Sequence, residues 1–215
     1  EAAREYFNRF TRAFPTVESL AAAQLDDVLK LWEGLGYYSR ARNLHKCAKT
    51  VCEEYGGVFP ADAAALRALP GIGDYTAGAI ASIAYGLPEP AVDGNVLRVL
   101  ARMECFGESI GSDKVKKRFR EALREIYPAG ECGEFTSALM ELGETICTVG
   151  TPDCARCPVA AYCEAHRRSE ETLYPVLPEK KPRRIENRRV LLLLCGDTVA
   201  VRRRESTGRQ PPSVC

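Results

Sequence analysis

Leu69-Pro70-Gly71-Ile72-Gly73-Asp74-Tyr75-Thr76-Ala77-Gly78-Ala79-Ile80 is the stretch on which the reading of this chain turns. Two glycines bracketing one apolar residue allow the backbone to reverse tightly between helices. The helix that follows presents unpaired N–H groups in its first turn, and such an end binds a phosphate without reading a base. Gly71-Ile72-Gly73 alone also fits an ordinary interhelical turn. The whole string is sharper, and it makes Leu69, Pro70, Gly71, Ile72, Gly73 and Thr76 candidate phosphate-backbone contacts.

Outward from this hairpin the apolar periodicity is helical as far as Arg168. Val17, Leu20, Leu25, Val28, Leu29 and Trp32 form one stripe with Thr16 available as N-cap, predicting a helix over 17–32. Further helices are expected over 40–55, 62–68, 74–84, 92–103, 112–126 and 131–146, punctuated by Gly and Pro. Residues 169–184 are polar and carry Pro175, Pro178 and Pro182, which reads as a linker. Arg189 to Cys195 and Thr198 to Arg202 then read as two strands around Gly196-Asp197, the start of a β-containing domain. The fold class is all-α with that β addition.

Thirty basic against twenty-nine acidic residues leave a net charge of +1, so no global field points to a polyanion. Local charge says more. Lys114, Lys116, Lys117, Arg118, Arg120 and Arg124 lie on one helical pattern, and Lys180 to Arg189 holds six basic residues; a solvated face and phosphate contact both fit. The longest apolar run, Val190 to Cys195, is far short of a membrane span.

Ten cysteines in 215 residues are too sparse for a small disulfide scaffold. Six are scattered as buried free thiols often are, which suits a reducing compartment. The other four, Cys147-x6-Cys154-x2-Cys157-x5-Cys163, lie within seventeen residues and can surround one soft metal centre. The spacing matches neither paired C-x2-C zinc knuckles nor the ferredoxin run, so an iron–sulfur cluster, zinc and a metal-free loop all stay open.

Two more segments carry chemistry. Asp93, in Val92-Asp93-Gly94-Asn95-Val96-Leu97-Arg98-Val99, is an N-cap candidate before an apolar helix. A carboxylate at a helix N-terminus is also held ionised, ready to stabilise developing positive charge. In Leu31-Trp32-Glu33-Gly34-Leu35-Gly36-Tyr37-Tyr38-Ser39-Arg40-Ala41-Arg42-Asn43-Leu44-His45, aromatics and arginines at a helix junction suit insertion into a base stack beside phosphates; core packing is the competing reading.

Together these motifs resemble the iron–sulfur branch of the helix–hairpin–helix DNA glycosylases, and the 31–45 segment resembles the MutY-type adenine DNA glycosylases. The resemblance covers roughly residues 1–205. It implies a six-helix barrel domain (1–90, hairpin 69–80), an iron–sulfur domain (91–168), a linker (169–187) and the start of a Nudix-like domain (188–215). It implies a [4Fe–4S] cluster on Cys147, Cys154, Cys157 and Cys163, with zinc the alternative. The implied reaction is hydrolysis of adenine mispaired with 8-oxoguanine or guanine in double-stranded DNA, by base flipping.

By the same resemblance, Asp93 stabilises the oxocarbenium-like sugar, Tyr37 is the wedge beside 8-oxoguanine, and Arg40 and Arg42 contact the backbone. Tyr75 stands where bifunctional relatives such as endonuclease III carry a Schiff-base lysine, which implies monofunctional chemistry. The family's general-acid glutamate is expected upstream of residue 1, since Glu18 and Glu33 fall in the wrong contexts. The chain by itself is then expected to be impaired, or a non-catalytic DNA-binding remnant. Its tail after Gly208 departs from the family pattern. A monomer is expected, in the bacterial cytoplasm at the nucleoid, with the compartment open for a eukaryotic source.

Overall fold

The computed structural model describes residues 2–179, 185, 187 and 193–200 and divides into two units, Glu1–Pro178 and Glu179–Cys215. The first unit is helical. Helices α1 (Ala2–Ala13), α2 (Val17–Ala22), α3 (Leu25–Leu31) and α4 (Tyr38–Tyr55) open it. Thr16 Oγ1 accepts from the Ser19 amide at 3.2 Å and Ser19 Oγ accepts from the Thr16 amide at 3.1 Å, a reciprocal cap on α2.

The helix expected over 17–32 is broken at Ala23, whose ψ of 154° is extended. Its carbonyl leaves the helical ladder and accepts from Nε2 of buried His45 on α4 at 3.0 Å. That long-range bond is what periodicity could not show. Leu20, Val28 and Ala48 close the corner with Phe10 and Phe14, and Phe10 meets Phe14 and Trp32 edge-on at 5.2 and 5.8 Å.

Asp62 caps α5 (Ala63–Ala68) by accepting from the Ala65 amide at 2.7 Å. After the hairpin, α6 (Asp74–Ala79) continues as a π turn over Ile80–Ala84. There Ser82 Oγ donates to Gly78 O at 2.8 Å, a back-bond that bends helices. Cys47, Val51, Leu66, Leu69, Ala77 and Ala81 make the core beneath the hairpin. A second core, including Val96, Leu97, Phe119 and Leu123, joins α7 (Gly94–Met103), α8 (Asp113–Ile126) and α9 (Cys132–Glu141), the last ending in a π turn over Leu142–Ile146. The two cores are tied by hydroxyls: Thr136 Oγ1 donates to Ser82 Oγ at 2.8 Å and lies 2.9 Å from Tyr127 OH.

Most of the basic residues on α8 are engaged with carboxylates. Lys116 pairs with Asp113, Lys117 with Glu121, Arg118 with Glu104, Arg120 with Asp74 and Arg124 with Glu89, at 2.8–3.8 Å. The solvated-face reading fits these five better than phosphate contact.

Short 3-10 turns at Cys154–Arg156 and Ala160–Tyr162 lead to α10 (Glu164–Arg168). The polar stretch after it does not run free at first. Glu171 O and Tyr174 O accept from Arg102 Nε at 2.8 and 3.0 Å, Val176 O accepts from the Ile110 amide at 3.0 Å, and the compact unit extends to Pro178. A 3-10 turn at Glu171–Leu173 stops before Pro175, and the carbonyls around the prolines remain free to dock.

In the second unit β1 (Leu194–Cys195) pairs antiparallel with β2 (Thr198–Val199), Leu194 opposite Val199 and Cys195 opposite Thr198. Residues 189–192 and 201–202 of the expected strands, and the tail, lie outside the described residues. Among the described residues no helix is long and apolar enough to cross a membrane.

Candidate nucleic-acid interface and metal loop

The hairpin closes through the Ile72 amide, which donates to Leu69 O at 3.1 Å, while Leu69 itself is buried. Gly71 has φ +80°, and a Cβ on it would overlap the Asn43 side chain of α4. Both facts restrict the position to glycine. Pro70 and Ile72 are half-buried, Gly71 and Gly73 are exposed, and Gly73 caps α6 in an extended conformation. Thr76 is half-buried one turn on. Asp74 binds Arg120 at 2.9 Å and approaches Arg67 at 3.9 Å, fastening the hairpin helix to α8 and α5.

Tyr75, 42% exposed, donates its hydroxyl to Met140 Sδ on α9 at 3.7 Å. Burial and, after it, the negative charge of Asp93 raise its pKa, so the phenol is neutral at ordinary pH. The charge of Asp93, at the start of α7, thus reaches Tyr75 on the hairpin helix.

Asp93 satisfies its N-cap reading. Its Oδ1 accepts from the Val96 amide at 2.8 Å, the N-cap bond, and its Oδ2 accepts from Asn95 Nδ2 at 3.2 Å. Asn95 Oδ1 accepts in turn from Arg98 Nη2 at 2.9 Å. Arg98 is buried and also donates to Cys147 O at 2.7 Å and Gly143 O at 2.6 Å. Gly143 allows this approach, because a Cβ there would run into Asn95. Burial depresses the Arg98 pKa, with Cys147 acting against it. Asp93, Gly94, Asn95 and Arg98 line one cavity with Tyr174 and Leu177.

Tyr37 is 78% exposed and left-handed, with φ 48° and ψ 49°, where a non-glycine residue is strained. Trp32 Nε1 donates to Gly36 O at 3.0 Å and braces the loop behind it. The Arg40 guanidinium lies 5.7 Å from the Tyr37 ring centre, so these two share one outward patch. Arg42 is half-buried, and buried His45 serves the α2–α3 break.

Cys147, Cys154, Cys157 and Cys163 line a single cavity together with Ile146, Pro152 and Ala160. The described cysteines are free thiols. Arg102 Nη1 donates to Cys147 Sγ at 3.3 Å, and Cys163 Sγ lies 3.6 Å from Arg102 O. Burial, with Glu171 next in effect, pushes the Cys154 thiol up to about 11. Four sulfur donors around one apolar space, with a guanidinium against one of them, fit a soft metal held by thiolates, whose negative charge the arginine offsets. Loading must expel the thiol protons. Cys154, His166 and Glu171 also bring ligand atoms within 4.8 Å of one another, a mixed set that suits zinc.

Residues 1–125 match the HhH-GPD superfamily of base excision DNA repair proteins. The chain belongs to that superfamily. Relatives of this HhH-GPD chain include the adenine DNA glycosylases of Rattus norvegicus, 43% identical over 81% of the chain and 34% of the relative, and Homo sapiens, 44% over 77% and 31%. That of Buchnera aphidicola subsp. Acyrthosiphon pisum is 38% identical over 84% of the chain and 52% of the relative. The chain therefore spans about a third to a half of these proteins. Among solved structures it is similar to a thermostable thymine-DNA glycosylase (TM-score 0.67, 25% identity, 77% of this chain and 76% of that one). It is similar also to endonuclease III in a non-covalent DNA complex (TM-score 0.65, 27% identity, 78% and 77%).

Sequence reasoning did not single out Asn95, Arg98, Arg102, Met140 or Glu171. Arg98 and Arg102 carried a signal: two arginines one turn apart among Val96, Leu97, Val99 and Ala101 place charge where the helix is otherwise core.

Proposed function

We propose that this chain forms part of an adenine DNA glycosylase that flips adenine, mispaired with 8-oxoguanine or guanine in double-stranded DNA, and hydrolyses its glycosidic bond as a monomer. The observation that carries this is Asp93: a carboxylate on the wall of a cavity, fixed by the α7 N-terminus through one oxygen and by Asn95 through the other. A carboxylate held so firmly is suited to stabilising positive charge on the sugar as the bond breaks, without reorganising. Tyr75 offers a neutral phenol rather than an amine, so no Schiff base forms there and the product is an abasic site.

Leu69 to Gly73 and Thr76 would hold the DNA backbone, and Tyr37 with Arg40 would enter the stack, with Arg42 behind them. Cys147, Cys154, Cys157 and Cys163 would hold a [4Fe–4S] cluster, whose contribution is to fasten the 147–163 loop; zinc is the alternative occupant. The names of the curated relatives support the substrate class.

The test is single-turnover excision on an adenine:8-oxoguanine duplex by the full-length protein and its Asp93→Asn variant. Asparagine also caps helices, so D93N should keep its thermal stability and duplex binding yet lose excision, whereas D93A should lose about 1 kcal/mol of stability as well. Retained excision by D93N would refute the assignment. Salt-dependent duplex binding with no excision by the wild type would leave a DNA-binding module in place of an enzyme.

A further inference from the structure

Arg102 is 2% exposed, and its guanidinium donates to Cys147 Sγ, Thr148 O, Gly150 O, Glu171 O and Tyr174 O at 2.8–3.3 Å. None of these acceptors is a carboxylate, and a buried cation without a counter-charge is costly. The Glu171 carboxylate lines the same cavity but is engaged by His166, and the charge placed directly against the guanidinium is that of Cys147 once the four cysteines bind metal as thiolates. The same guanidinium carries the strap 171–174, and Arg102 lines both the four-cysteine cavity and the Asp93 cavity. Thr172 and Tyr174 of that strap, with Pro175 and Leu177 just after it, form one side of the Asp93 cavity.

We infer that Arg102 is a positioning residue that couples metal loading of the 147–163 loop to docking of the strap, and so to the shape of the cavity beside Asp93. The inference rests on the metal reading proposed above. With metal bound, the thiolate at Cys147 anchors the guanidinium in the orientation that the four carbonyls also require. Without it the guanidinium loses that anchor, and the strap part of its hold. This route is separate from the Asn95–Arg98 chain, which reaches Cys147 through its carbonyl.

Hydrogen exchange reads the docking directly. The Ile110 amide donates to Val176 O, on the strap, and the Leu173 amide to Glu170 O; the Ile72 amide in the hairpin serves as control. The wild-type chain, loaded anaerobically with ferrous iron and sulfide, is compared with the same chain stripped by a chelator. Stripping should speed exchange at Ile110 and Leu173 by about tenfold or more, equivalent to about 1.4 kcal/mol, with Ile72 unchanged. Loaded Arg102→Lys, which keeps the charge but loses the planar fork, should exchange at these amides as the stripped wild type does.

If R102K does not fold, the wild-type comparison decides. Equal exchange in loaded and stripped wild type overturns the coupling, as does a loaded R102K that behaves like loaded wild type. A wild-type chain that takes up neither iron nor zinc overturns the metal reading and the coupling with it; uptake without a response in the strap overturns the coupling alone.

Discussion

The Asp93 carboxylate and the Arg98 guanidinium are joined through one side chain, Asn95, which donates to Asp93 Oδ2 at 3.2 Å and accepts from Arg98 Nη2 at 2.9 Å. Asp93 is thereby tied to the loop of the first cysteine, because Arg98 also holds Cys147 O. Removing the bridge leaves the N-cap bond to Val96 intact but lets the second oxygen turn. Asn95→Ala in the full-length protein should therefore lower single-turnover excision by about 10²-fold through misplacement alone, with duplex binding retained. Excision at the wild-type rate would show that the cap bond is enough.

At the hairpin, Gly71→Ala meets both a left-handed backbone and the Asn43 side chain. The expected loss is about 1–3 kcal/mol in urea unfolding. If the hairpin holds backbone rather than bases as proposed, duplex affinity should fall with it across all sequences alike.

Tyr37 offers a variant in which stability and function part. Its left-handed conformation is strained, so Tyr37→Gly should raise stability by up to about 1 kcal/mol while weakening binding to a mispaired duplex. A variant that binds as well as wild type would remove Tyr37 from the interface.

The pH dependence follows from Tyr75 and Tyr127, whose phenol pKa values burial raises. Each binds its proton more tightly folded than unfolded. Their contribution to stability is complete below the ordinary tyrosine value and is lost as pH rises through the raised folded values. Thermal unfolding from pH 8 to 11 should fall less steeply in Tyr75→Phe than in wild type, and absorbance titration of the phenolate should lose a late component. Parallel stability curves would place Tyr75 in a solvent-like setting.

Much of the helical frame was legible in the residues, because apolar periodicity and local caps act over a few positions. Asp62 and Ser112 cap the helices expected to follow them, and the hairpin string turns where its glycines demand. The break at Ala23 was not legible, since it depends on His45 twenty-two positions away. Nor were the ion pairs that engage α8, whose partners Asp74, Glu89 and Glu104 lie on other elements.

The sequence by itself determined the elements and the donor sets: four thiols in one short loop, a carboxylate at a helix start and two glycines at a reversal. Each follows from chemistry within a few residues of chain. Only the tertiary structure decided which groups share a space. It set Tyr75 in the field of Asp93, placed Arg98 and Arg102 against Cys147, and returned residues 171–177 to the wall beside Asp93. The last two come from buried cations finding acceptors 45 to 72 positions along the chain, a requirement of desolvation that no local pattern encodes.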